Sequence, residues 1–184
     1  TEGTDWEAIT AARCDDLLVD LALLKLNRRP NFMALPEATR HDIKEFFGSY
    51  KQATAEADQL LFSSGNTELV DETANAATVG KRLPTALYVH ESALSDLAPV
   101  LRVYEGCARW VVGEIDDANV IKLATNKPKV SYLSYPKFDK EPHPALRETI
   151  FVRLWNLDVD WRSYEDSTNS PILHRKEQFV ADDY

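Results

Sequence analysis

Glycine is scarce in this sequence: Gly3, Gly48, Gly65, Gly80, Gly106 and Gly113 are all there are, and no two lie closer than seven residues. A nucleotide-type cofactor fold needs a glycine-rich turn between a strand and a helix, so that backbone can approach the ligand closely. No segment here has that form. Long apolar runs are lacking too. Stretches such as Leu21–Leu24 and Trp110–Val112 are far too short to span a bilayer. The first residues are acidic and polar, without the basic and apolar regions of a signal peptide, although a start at Thr1 leaves a processed or trimmed terminus open. Cysteine is nearly absent. Cys14 and Cys107 both sit in apolar helical patterns, and neither belongs to a CxxC, so buried free thiols in a reducing, cytoplasmic setting are expected. The four histidines, His41, His90, His143 and His174, show no ligand spacing, and no metal site or cofactor is expected.

What is present is ordinary in amount and uneven in placement. The chain has 184 residues, 44% hydrophobic and 28% charged, enough for one sizeable core. The formal net charge is −9. Residues 1–80 carry 7 basic against 14 acidic side chains, whereas residues 81–184 carry 14 against 16. Within the second part, Lys122, Lys127, Lys129, Lys137 and Lys140 face only Asp139 between residues 120 and 140. Such a distribution argues against coating nucleic acid or an anionic membrane broadly, and it permits one anion-facing surface.

The pattern along the chain predicts an α+β fold, with helices reaching Gly113 packed on a small antiparallel sheet of β-hairpins. Thr4-Asp5-Trp6-Glu7 has the form of a capping box, followed by a helical stripe of Ile9, Leu17, Leu18, Leu21 and Leu24 that stops at Arg28-Arg29-Pro30. Pro36 suits the first turn of a second helix, closed at Gly48. A third helix spans 49–63 and buries Tyr50, Ala53, Ala57, Leu60 and Leu61. A shorter one follows over 68–77. Gly80 marks the best internal boundary, dividing a helical subdomain (1–80) from a helix plus hairpins (81–184) within one compact unit. Leu87–His90 reads as an extended segment or a helical turn. Ser92 suits the cap of a helix reaching Leu97. Pro99 starts another, with Leu101, Tyr104, Ala108 and Val111 on one face. Residues 120–123 and 129–135 flank a turn at Thr125-Asn126-Lys127-Pro128, and residues 149–154 and 159–164 flank a second turn; both pairs read as hairpins. The tryptophans Trp6, Trp110, Trp155 and Trp161 are expected as core or interface anchors.

Longer phrases carry a family resemblance. They include Val79-Gly80-Lys81-Arg82-Leu83-Pro84-Thr85-Ala86-Leu87-Tyr88-Val89-His90 and Leu101-Arg102-Val103-Tyr104-Glu105-Gly106-Cys107-Ala108-Arg109. Lys127-Pro128-Lys129-Val130-Ser131-Tyr132-Leu133-Ser134-Tyr135-Pro136 and Ser170-Pro171-Ile172-Leu173-His174-Arg175-Lys176-Glu177 belong with them. Together they resemble the C-terminal region of the methyltransferase family associated with DNA phosphorothioation, over residues of about 15 to 180. Full-length members of that family carry an S-adenosylmethionine domain ahead of this region. The glycine spacing shows no counterpart of it here, so methyl transfer is not expected of this chain alone. The resemblance implies an excised domain or a stand-alone version, and a place in a DNA-modification or phage-defence system with DNA or other proteins of that system as partners.

Two groupings are candidates for function. The first is the basic hairpin, where Lys122, Lys127 and Lys129 are placed to neutralise phosphates while Tyr132, Tyr135 and Phe138 stack on bases. The alternative is a solvated hairpin whose tyrosines pack on the helices, and strand alternation sets Tyr132 on the opposite side from Lys129 and Ser131. The second joins His90, His174 and Lys176, as candidate catalytic groups, with Arg102, Arg175, Tyr104 and Glu105. Here a histidine would move protons and arginines would hold a phosphate. Only the resemblance groups these segments, and Arg102 and Glu105 equally suit a helix-surface ion pair. Carboxylates Glu114, Asp116 and Asp117 near Lys122 raise a two-metal nuclease reading, weakened by their place in a loop. The expected function is an accessory recognition or assembly domain that binds DNA phosphates. The alternatives are an enzyme on a nucleotide or other phosphate-containing ligand, and a protein-interaction domain whose acidic half docks a basic partner.

Overall fold

The computed structural model describes residues 5–184. Thr4 and its capping role fall outside them. The first helix, α1 (Trp6–Leu24), is capped by Asp5, whose carboxylate accepts the Ala8 N–H at 3.1 Å. Every residue from Asp5 to Arg13 is exposed, so the first turns run past the packed layer, and Ile9 is not on the buried stripe. Burial begins with Leu17, Val19, Leu21 and Ala22. Pro36 precedes α2 (Glu37–Phe47), which Gly48 closes at φ 73°, a left-handed conformation that costs glycine little. Ser49 caps α3 (Tyr50–Ser63), and Asn66 caps α4 (Thr67–Asn75) by accepting from Glu68 and Leu69.

The strands are β1 (Lys81–Leu83), β2 (Ala86–His90), β3 (Val120–Ala124), β4 (Lys129–Ser134), β5 (Glu148–Arg153) and β6 (Asp158–Ser163). The helix α5 (Pro99–Val112) connects β2 to β3. The fold is α+β, and the two expected hairpins are β3–β4 and β5–β6. They are not separate. All six strands form one antiparallel sheet in sequential order. Leu87–His90 resolves as strand β2, and the segment read as a helix capped by Ser92 is a 3-10 helix (Glu91–Asp96) capped by the His90 ring instead. Gly80 turns the chain into β1 at φ 82°, where a side-chain Cβ would lie 2.6 Å from the Tyr88 carbonyl oxygen.

The sheet has two unlike faces, as period-two alternation requires. Leu87, Val89, Ile121, Leu123, Val130, Tyr132 and Val152 project to one side. There they pack on Leu101, Tyr104 and Ala108 of α5 and on Val70 and Ala74 of α4. Helix α5 is a wedge: its Val103 turns the other way into the cluster of Leu17, Leu21, Ile43, Ala53 and Ala57. Gly106 lets α1 approach, since a Cβ there would fall 2.5 Å from Leu23 Cδ1. Burying such a Leu or Val side chain contributes about 1.5–3 kcal/mol.

On the opposite face, only one end is covered. Val120 and Leu133 lie under Tyr135, Phe138, Leu146, Leu173 and Phe179. The C-terminal segment is fastened there by the Ala145–Ile172 bridge and by the His90 N–H donating to the Phe179 carbonyl at 2.6 Å.

The tryptophans, expected as core or interface anchors, are not core residues. Trp6, Trp110, Trp155 and Trp161 are all exposed, between 46% and 71%. Both cysteines are free thiols and only half-buried, and burial raises the pKa of each.

Candidate nucleic-acid interface

The register assembles the basic surface. Tyr88 pairs with Lys122, Lys122 with Ser131, and Ser131 with Phe151. One row across the sheet therefore reads Lys81, Tyr88, Lys122, Ser131, Phe151 and Asp160 on a single face. The neighbouring row holds Ala86 and Ala124 beside Lys129, Arg153 and Asp158. Lys127 is exposed on the turn between β3 and β4. All three expected lysines thus gather at the open end of the face that the helices do not cover.

Their electrostatics follow from that crowding. The Lys122 ammonium lies 5.3 Å from the centroid of the Tyr88 ring, and that of Lys129 lies 4.3 Å from Phe151. Burial, then the nearby charges of Lys127, Lys122 and Arg153, hold Lys129 below the usual lysine pKa, partly offset by Asp160. Arg153 is paired with Asp158 at 3.0 Å and with Asp160, which forms an acidic rim along β6. Among the described residues, Lys122, Lys127 and Lys129 have no carboxylate within 4.0 Å.

The turn itself is held from beneath. The Tyr104 hydroxyl accepts the Lys129 N–H at 2.8 Å, with the carbonyls of Ala124, Lys127 and Lys129 at 2.9, 3.2 and 3.1 Å to receive its proton. Burial pushes the Tyr104 phenol up to about 12, so it stays protonated. Tyr104 is a positioning residue of the basic turn and not a partner of His90.

The aromatics expected beside the lysines are elsewhere. Tyr132 is buried on the helix side and donates to Glu105 Oε1 at 2.9 Å. Tyr135 and Phe138 are buried under the C-terminal segment. The rings that do share the lysine face are Tyr88 and Phe151. Hairpin alternation alone was sufficient to exclude Tyr132. Finding Phe151 required knowing that β4 pairs with β5.

The second grouping is not assembled. His90 is buried, stacked on Phe138 at 4.5 Å, and its Nδ1 accepts the Ser92 N–H at 3.2 Å and lies 2.9 Å from the Ser92 hydroxyl. Burial lowers its pKa, and Asp139 opposes that in part. Lys176 comes near through Phe138, donating to its carbonyl oxygen. His174 is exposed with its ring 4.9 Å from His143, and Arg175 is exposed at φ 55°. Arg102 stands on α5, on the other side of the sheet. It is paired with Asp16 at 2.8 Å and lines a cleft of about 500 Å³ with Asp15 and Asp96. The expected Arg102–Glu105 pair is replaced by Glu105–Arg109 at 2.8 Å. Of the loop carboxylates, Asp117 pairs with Arg147 at 3.0 Å. The described residues hold no cluster of three or more side chains suited to a metal ion, and no helix among them is long and apolar enough to cross a membrane.

No family model, curated protein or solved structure matches the chain.

Proposed function

We propose that this domain recognises nucleic-acid phosphates through the open sheet face. On this reading it serves as an accessory module of a DNA-modification or phage-defence system, related to the C-terminal region of the phosphorothioation-associated methyltransferase family. One observation carries the reading. Lys122, Lys127 and Lys129 converge without carboxylate partners among the described residues, on a face that also presents Tyr88 and Phe151. Three like charges held this close repel one another, and a bound anion would relieve that repulsion. Burial lowers the pKa of Lys129 most, and the charges of Lys127, Lys122 and Arg153 add to that shift. A phosphate backbone laid along the β3–β4 turn would meet the three ammonium groups in succession. Unpaired bases would stack on Tyr88 and Phe151 by displacing the ammonium groups that lie over those rings.

The expected behaviour is salt-sensitive binding. Fluorescence anisotropy with single-stranded and duplex oligonucleotides, with and without phosphorothioate, measures it at low salt. Changing Lys122, Lys127 and Lys129 together to Ala should weaken binding at least tenfold and reduce the slope of log K against log salt by about 2–3. Failure to bind any of these oligonucleotides at low salt refutes the reading. The dispersal of His90, Arg102 and His174 leaves the enzyme alternative without a pocket that joins them.

A further inference from the structure

The sheet has two edges, and they differ. The β1 edge is three residues long, with Arg82 tied to Asp71 and Asn75. The β6 edge is six residues long, exposed at every position, and carries Val159 and Trp161 beside the exposed Trp155 and Leu157 of the preceding turn. A long open edge bearing apolar side chains is a template for another strand.

The backbone phase of that edge is readable. The Tyr164 N–H donates to the Arg147 carbonyl at 2.7 Å, in step with the β5–β6 register, so even-numbered residues of β6 turn their peptide groups toward β5. The N–H and C=O of Val159, Trp161 and Ser163 therefore point outward. We infer that β6 pairs with β6 of a second copy of this chain, antiparallel, about a twofold axis through Trp161 perpendicular to the sheet.

Three constraints select this arrangement. Side chains directly opposed across a strand pair lie on one face, and outward peptide groups must meet outward peptide groups; both require odd residues to oppose odd ones. An axis through Asp160 would set Asp against Asp, and an axis through Arg162 would set Arg against Arg, each an unfavourable contact. An axis through Trp161 sets Asp160 opposite the second copy's Arg162, and Arg162 opposite its Asp160, in the closely spaced non-hydrogen-bonded pairs. Trp161 then meets its own counterpart on the helix-side face, and Val159 meets Ser163. The pairing adds about six backbone hydrogen bonds. It covers an interface at the small end of specific ones, for which a dissociation constant of about micromolar order is expected. Because the axis is perpendicular to the sheet, the open faces of both copies point the same way, and the sheet becomes continuous through twelve strands. This inference does not depend on what the lysine face binds.

Sedimentation velocity of the full 184-residue chain, without nucleic acid, over about 1–100 µM tests it. A monomer–dimer equilibrium is expected. Arg162→Asp places carboxylates in opposition and should weaken dimerisation at least tenfold. Combining it with Asp160→Arg should restore most of the loss. Trp161→Cys, a change at an exposed site, should give a disulfide-linked dimer under mild oxidant, where the unchanged chain with only Cys14 and Cys107 gives none. A chain that stays monomeric at the highest concentration overturns the inference. So does an Arg162→Asp variant that dimerises as tightly as the original, or a Trp161→Cys variant that does not cross-link.

Discussion

The helix-side and open faces of one sheet are built from alternate residues of the same six strands, yet they obey different rules. On the helix side, Leu87, Val89, Ile121, Leu123, Val130 and Val152 are almost fully buried, and the one polar group among them, the Tyr132 hydroxyl, is satisfied by Glu105. On the open side, Lys122 and Lys129 set their ammonium groups over the rings of Tyr88 and Phe151. The helix side is where stability resides. The open side adds a smaller core at the end covered by the C-terminal segment and leaves the lysine-bearing end at the surface.

That division can be broken or sharpened by experiment. The largest effect is expected from Leu101→Ala on the helix side, where the side chain is fully buried. It should cost about 2–5 kcal/mol in denaturant unfolding while leaving the oligonucleotide affinity of the folded protein unchanged. Tyr104→Phe comes next because it crosses the boundary. Loss of the hydroxyl should cost about 1 kcal/mol and also weaken binding, since the turn carrying Lys127 loses its anchor. A smaller effect belongs to His90 and to pH. Its imidazole is held neutral by burial, and its Nδ1 must keep a lone pair for the Ser92 N–H. The folded pKa lies below the ordinary 6.5, so the stabilisation is complete above that value and is lost as the pH falls through the folded pKa. Thermal melts between about pH 7.5 and 5 should show this slope, and His90→Gln should flatten it. Lys122→Ala is expected to do least to stability, within about 0.5 kcal/mol, while reducing binding measurably. A large loss of stability there would mean that the core under the C-terminal segment extends to the lysine-bearing end.

Much of the scaffold was legible from local chemistry. Pro36, Gly48, Ser49 and Pro99 bound helices as their local chemistry dictates, and the turns after Ala124 and Arg153 close hairpins. Local rules do not say which hairpin edges meet. The β4–β5 junction depends on residues spread from Lys129 to Arg153, and without it Phe151 and Arg153 had no place beside the lysines. The same blindness left the tryptophans open between core and interface, because burial of a large side chain is decided by what packs on it from elsewhere. Tyr135 and Phe138 looked available because the segment that covers them arrives from Leu173 and Phe179, at the far end of the chain. Arg102 failed for a related reason. Its partner Asp16 lies on α1 and holds it to the helical layer.

The hydroxyl of Tyr104 has one more effect. It makes the lysine-bearing turn continuous with α5, which is seated through Val103 and Gly106 against α1. A surface loop of this kind would ordinarily lose conformational entropy when a ligand arrives. Here that loss falls on folding, so on the proposed function an incoming phosphate chain would meet ammonium groups mounted on a backbone already in place.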